Sequence, residues 1–124
     1  MNPAAVFVSV CAISIPIWWI ALFQSEPIRR MFVSDGSWPV FATLLAPDLL
    51  LAVVTGVFAW RLRQDGATAL IGLFVLGGWA YATVLSIAWA WPSPMLWLGP
   101  ALMIAATIGI AVICHVRFPA RPAR

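Results

Sequence analysis

The chain has 124 residues, of which 64% are hydrophobic and 9% charged, and its formal net charge is +3. Soluble domains carry about 25% charged residues, and so small a domain could not hide this much apolar surface from water. The cationic residues are all arginines near the ends of apolar runs, which does not predict the solvated basic stripe of a nucleic-acid-binding protein.

Four apolar runs, each about as long as a membrane span, divide the chain. We therefore predict an all-α polytopic membrane protein, a four-transmembrane-helix bundle that forms a single domain over residues 1–124. The predicted spans cover residues 5–23, 40–60, 67–91 and 95–116. An interfacial loop is predicted over 24–39 and a basic, extended tail over 117–124.

The first span and the loop after it carry local signals. Pro16 removes one backbone hydrogen bond and should bend the first helix. Ser25 can cap a short helix that has Glu26 in its first turn. One face of that helix is apolar, as in interfacial segments; its members are Ile28, Met31 and Phe32. Asp35, Gly36 and Ser37 predict the turn that ends this segment.

Asp48, directly after Pro47, is an acid set deep in the second apolar run. In a span that begins at Val40 it lies about 12 Å below the membrane boundary, at about 1.5 Å per residue. A carboxylate at that depth costs a few kcal/mol unless it is neutral, paired or facing water.

Three hypotheses for Asp48 stay open. It could form a proton, cation or polar-ligand site. It could cap a helix that begins at Pro47. It could also make a structural hydrogen bond to Trp79, Tyr81 or a hydroxyl of the third span.

The third span contains the polar side chains of Trp79, Tyr81, Thr83 and Ser86. Trp79, Thr83 and Ser86 share one helix face, which would suit either a pocket for an amphipathic ligand or hydrogen bonds between helices. Arg29 and Arg30 of the loop could bind a lipid phosphate, a quinone-like oxygen or a partner carboxylate, or simply anchor the loop at the interface. The ligand-binding candidates are therefore Asp48, Trp79, Tyr81, Thr83, Ser86, Arg29 and Arg30.

Small residues recur at every fourth position in three spans, which allows close approach of helix backbones. The rows are Ala52 and Gly56; Gly78, Ala82, Ser86 and Ala90; and Ala101, Ala105 and Gly109. The sequence does not say whether these rows face helices of this chain or of another subunit.

No metal or cofactor is expected. His115 is a single histidine, and Cys11 and Cys114 stand apart inside apolar runs, so no zinc, disulfide or haem-ligand pattern is present. Motifs for a nucleophile, a carboxylate pair or a phosphate loop are also lacking, and no catalytic residue is assigned.

The arginines predict the topology. The second loop and the tail share one side with five arginines, and the opposite side has two, which favours both termini in the cytoplasm. The composition, rich in alanine and free of lysine, favours the cytoplasmic membrane of a bacterium. Six tryptophans then lie toward the outer surface, more than an interfacial belt needs: Trp18, Trp19, Trp38, Trp89, Trp91 and Trp97.

Three functions fit these features. The first is a small integral-membrane subunit or scaffold that packs against other membrane helices, for example in an energy-converting complex. The second is a binding or transport protein for a small hydrophobic or lipidic ligand, with an outer-half pocket around Asp48. The third is a membrane enzyme that acts on a lipid or isoprenoid. The expected partners are membrane lipid and either other membrane subunits or further copies of the chain, without nucleic acid.

Overall fold

The computed structural model describes residues 2–33, 36–91 and 97–119, and these residues form helices and loops without any strand. The prediction of an all-α four-helix bundle is confirmed. The helices in chain order are α1 (Pro3–Gln24), α2 (Glu26–Phe32), α3 (Trp38–Phe41), a 3₁₀ turn (Ala42–Leu44), α4 (Leu45–Arg63), α5 (Ala69–Ala90) and α6 (Leu98–Arg117).

Four stretches among the described residues are long and apolar enough to cross a bilayer. They are α1, the continuous stretch Trp38–Arg63 that includes α3 and α4, α5, and α6, with 22, 26, 22 and 20 residues. Helices of about 20 residues span the hydrocarbon core. Large apolar side chains such as Leu70, which is 78% exposed, cover the outside of the bundle, as expected where lipid is the solvent. The chain is an integral membrane protein.

Two helix pairs form the bundle. α1 packs along α4, α5 packs along α6, and α4 joins the pairs by packing against α5. α1 approaches α6 near Phe7, whose ring lies so close to Gly109 that a Cβ there would overlap it. The centre of the bundle is filled by fully buried side chains of all four long helices, namely Val8, Leu22, Phe58, Val75 and Ile110.

The small residues of α4 and α5 serve contacts within this chain. A Cβ on Gly78 would come within 2.6 Å of Leu51 Cδ1, so this glycine lets α5 approach α4. A Cβ added to Gly56 of α4 would lie 4.0 Å from the Cβ of Ala12 in α1. The row on α6 divides: Gly109 faces Phe7, whereas Ala101 and Ala105 are exposed.

Both ends of the described chain lie at one end of the bundle, which we name the basic end. Asn2 caps α1 through its side chain and also donates from Nδ2 to the carbonyl of Leu62, 3.1 Å away. Arg117, the last residue of α6, lies 3.7 Å from the carboxylate of Asp65 in the loop between α4 and α5. The opposite end, which contains Trp38 and Trp89, is named the aromatic end.

α2 covers the aromatic end. Its N-cap is Ser25, whose hydroxyl accepts from the backbone N–H of Ile28. Ile28 and Phe32 pack against the core, whereas Met31 is exposed. The face of α2 that packs on the bundle therefore contains two of the three apolar residues predicted for it. Gly36 has a φ of +85°, which suits the predicted turn.

Several predicted features lie outside the described residues. They are Asp35 of that turn, the tight turn expected at Pro92, Ser93 and Pro94, and the tail beyond Pro119 with Arg121 and Arg124.

Candidate functional site

Asp48 stands in the first turn of α4 at the aromatic end. The helix begins at Leu45, and Leu44 occupies its N-cap position without a side-chain capping bond. Pro47 fits here because a residue in the first turn does not need its N–H for the helix. Asp48 therefore does not have the N-cap position that one hypothesis gave it, and its side chain is half-buried inside the bundle.

The carboxylate of Asp48 is bound by a tryptophan of α1. Trp19 Nε1 donates a hydrogen bond to Asp48 Oδ2 over 3.0 Å. The Trp19 ring is 2% exposed and lies 5.5 Å from Phe41 and 6.3 Å from Trp38, measured between ring centroids. The hydrogen bond joins α1 to α4, so the partner of Asp48 comes from the first span and not from the third.

A cavity of about 190 Å³ lies beside this hydrogen bond, between the two helix pairs. Among the described residues, Asp48 is the one ionisable side chain in its lining, and the hydroxyls of Ser14 and Ser86 are the other polar side chains apart from tryptophan N–H groups. The remaining walls are apolar. An empty apolar cavity of about 150 Å³ is large enough to bind benzene, so this cavity can enclose a ring of that size while the rest of a larger ligand extends out of it.

Aromatic rings close the cavity toward the aromatic end. Phe32 of α2 makes an edge contact with Trp18, with 4.1 Å between centroids. Phe41 makes a similar contact with Trp89 at 5.5 Å. These four rings all line the cavity, so α2 and α3 cover it at the aromatic end.

The lining of the cavity extends to the side of the bundle at α1 and α6. Ser14 of α1 and Leu102 of α6 both line the cavity and are also exposed on the bundle surface. Toward the basic end the same two helices are held together by Phe7 and Gly109. The cavity therefore reaches the surface on the side of the bundle, between α1 and α6.

The structure brings together only part of the predicted site. Asp48, Trp79 and Ser86 line the cavity. Tyr81 is 65% exposed on the opposite face of α5. Thr83 is buried next to the cavity, where its hydroxyl bonds the carbonyl of Trp79 at 2.8 Å and the hydroxyl of Thr107 in α6 at 2.9 Å.

The two loop arginines lie in α2, and each has a partner at the aromatic end. The Arg29 guanidinium stacks over the ring of Trp38, 4.9 Å from its centroid. Arg30 pairs with Glu26 one turn earlier at 2.6 Å. Neither side chain is among those that line the cavity.

Sequence reasoning missed Trp19 as the partner of Asp48 and missed the contribution of α6 to the cavity. In the structure the buried residues of α1 recur at helical spacing, namely Ala5, Val8, Ala12, Ile15, Trp19 and Leu22. The sequence does not show this pattern, because apolar residues occupy every face of this span. For Met103 and Ala106 of α6 we find no sequence signal either.

Fold and site together define a class: a small four-helix integral membrane protein with an apolar interhelical cavity that contains one carboxylate. The chain matches no protein-family model, and no curated protein or solved structure is significantly similar to it.

Proposed function

We propose that this protein binds a small hydrophobic or lipidic ligand within the bilayer. The observation that carries the proposal is the cavity of about 190 Å³, whose apolar walls surround the Asp48 carboxylate. Binding sites for small molecules are mostly apolar and use a few polar groups to orient the ligand. Ionisable side chains at membrane depth commonly mark ligand or ion sites.

The position of the opening supports access from lipid. A ligand dissolved in the hydrocarbon can pass between Ser14 and Leu102 without crossing the aromatic end. Such a route keeps an apolar molecule out of water throughout.

The arginines favour an orientation with the cavity in the outer half of the membrane. Arg61, Arg63 and Arg117 stand at the basic end, and Arg29 and Arg30 stand near the aromatic end. By the positive-inside rule, the basic end and both termini face the cytoplasm of a bacterial cell. The ligand would then be drawn from the outer leaflet.

Photolabelling in vesicles tests the proposal. The probe is an alkylbenzene that carries a diazirine, and the labelled residues are mapped by mass spectrometry. We expect labelling of Leu85 and Met103 on the cavity wall that excess unlabelled alkylbenzene competes away. Labelling of Leu70, exposed on the outside of α5, is the reference for contact with dissolved probe and should not be competed.

A matched variant sharpens this test. Ala106→Phe places a ring in the cavity. This variant should lose the labelling of Leu85 and Met103 that alkylbenzene competes away, and it should keep the labelling of Leu70. The proposal would be contradicted if excess unlabelled alkylbenzene reduced the labelling of Leu85 and Met103 no more than it reduces the labelling of Leu70.

A second candidate is a subunit that packs against further membrane helices, such as those of an energy-converting complex or of another copy. The exposed Ala101 and Ala105 of α6 favour it, because small residues on a lipid-facing side let another helix approach closely. Ala105→Leu should dissociate an assembly extracted in mild detergent, and Ala80→Leu on the exposed side of α5 is the control. An assembly unaffected by Ala105→Leu would exclude this face.

A further inference from the structure

The Asp48 carboxylate has no cationic partner within the part of the chain that the structure describes. Its hydrogen bond comes from the neutral indole of Trp19. The ion pairs among the described residues join Arg30 to Glu26 and Arg117 to Asp65. A charge removed from water needs an opposite charge or several hydrogen bonds. An ionised Asp48 in this site is therefore one positive charge short of balance.

The carboxylate of Asp48 favours a ligand that donates. Several donors near it are already used: Trp19 donates to Asp48, Trp79 Nε1 donates to Thr55 Oγ1 at 3.1 Å, and the Ser14 hydroxyl donates to the carbonyl of Cys11 at 2.8 Å. An ionised carboxylate only accepts. A ligand with a positive or donating group therefore satisfies Asp48, and a ligand that only accepts does not.

The aromatic walls favour a cation over a neutral donor. Five rings line the cavity that contains Asp48: Trp18, Phe32, Phe41, Trp79 and Trp89. Aromatic faces attract a cation, tryptophan most strongly, and the attraction grows when water is excluded. The carboxylate and the aromatic rings therefore both favour a cation in this cavity.

We propose that the ligand is an amphipathic organic ammonium ion. Its nitrogen lies against Asp48 among the rings, and its hydrocarbon part lies against the wall formed by Leu85, Met103 and Ala106. This inference rests on the proposed function, because it names the chemical class that the same cavity selects.

A pair of ligands that differ only in charge tests the inference. Benzyltrimethylammonium and neopentylbenzene have nearly the same shape, with a quaternary nitrogen in one and a carbon in the other. Isothermal titration calorimetry at one fixed detergent concentration gives an apparent affinity for each. Asp48→Asn removes the charge and keeps an oxygen that can accept from Trp19. The affinity ratio of the two ligands in wild type, divided by the ratio in this variant, cancels their different partitioning into detergent.

We expect this double ratio to be about tenfold or more in favour of the cation. Asp48→Glu, which keeps the charge, should retain the preference, and Asp65→Asn in the loop should leave it unchanged. A double ratio near one, with both ligands bound, would overturn the inference and leave the proposed function standing. If neither ligand binds, both the inference and the proposed function are overturned.

A second variant keeps the inference testable if Asp48→Asn does not fold. Trp89→Leu removes one ring from the wall and leaves the Trp19–Asp48 hydrogen bond in place. It should weaken binding of the cation about threefold more than binding of neopentylbenzene. Equal weakening of both ligands would contradict recognition of the charge by the rings.

Discussion

Trp79 Nε1 in α5 donates a hydrogen bond to Thr55 Oγ1 in α4 over 3.1 Å, and both side chains are buried. The bond lies where the two helix pairs meet and forms part of the wall behind the cavity. It links the span that carries Asp48 to the span that carries most of the predicted polar set. It holds the ring of Trp79, which lines the cavity.

Thr55→Val should destabilise the protein by about 1 kcal/mol, because the buried indole N–H loses its acceptor while the side-chain volume stays the same. Thr55→Ser keeps the hydroxyl and should cost less. Unfolding in mixed detergent micelles measures both. Equal stability of Thr55→Val and wild type would show that the hydrogen bond contributes nothing net.

Gly78→Ala should destabilise the bundle by about 1–3 kcal/mol, since its Cβ would lie 2.6 Å from Leu51 Cδ1 in a packed interface. Gly77→Ala is the matched control, because nothing lies within 4 Å of a Cβ at that position. It should be neutral or stabilising, since alanine has the higher helix propensity. The same unfolding assay applies, and similar effects of the two changes would contradict the close contact of α4 with α5.

Phe32→Ala should loosen α2 from the bundle. The Phe32 ring contacts Trp18 at 4.1 Å between centroids, and such pairs contribute about 0.5–1.5 kcal/mol beyond their buried area. Hydrogen exchange of the amides in Glu26–Phe32 should become faster. Met31→Ala changes an exposed neighbour and should leave the exchange unaltered. Unchanged exchange in Phe32→Ala would mean that this ring does not hold α2.

Two variants of Asp65 test whether its backbone conformation or its charge contributes more to stability at the basic end. Its φ is +50°, which is tolerated by Asp and Asn and is unfavourable for a β-branched residue. Its contact with Arg117 is 3.7 Å long and mostly exposed, so it contributes little. Asp65→Asn should change the free energy of unfolding by less than about 0.5 kcal/mol, whereas Asp65→Val should lower it by about 1 kcal/mol. A larger loss in Asp65→Asn would show that the charge matters more.

The sequence predicts the spans well because length and apolar composition alone determine which segments suit a bilayer. It also singles out Asp48, because a carboxylate in an apolar run needs compensation. It does not predict how each helix is rotated. Apolar residues surround every face of these spans, so no stripe marks the buried side.

The consequences are visible at particular residues. Tyr81 belongs by composition to the polar set of α5, yet it lies on the exposed face, two positions from the buried Trp79 and Thr83. Trp18 and Trp19 look equivalent in sequence, and only the packing of α1 on α4 decides which of them reaches Asp48. The cavity itself arises from four helices together, which no single run encodes.

Native mass spectrometry after extraction in mild detergent tests the central claim most directly. The claim is that the interhelical cavity holds a small ligand. We expect the 13.5 kDa chain, or its oligomer, to carry one small bound molecule that is absent from Ala106→Phe prepared in the same way. A wild-type chain without any bound molecule, or one whose bound molecule persists in Ala106→Phe, would contradict the claim.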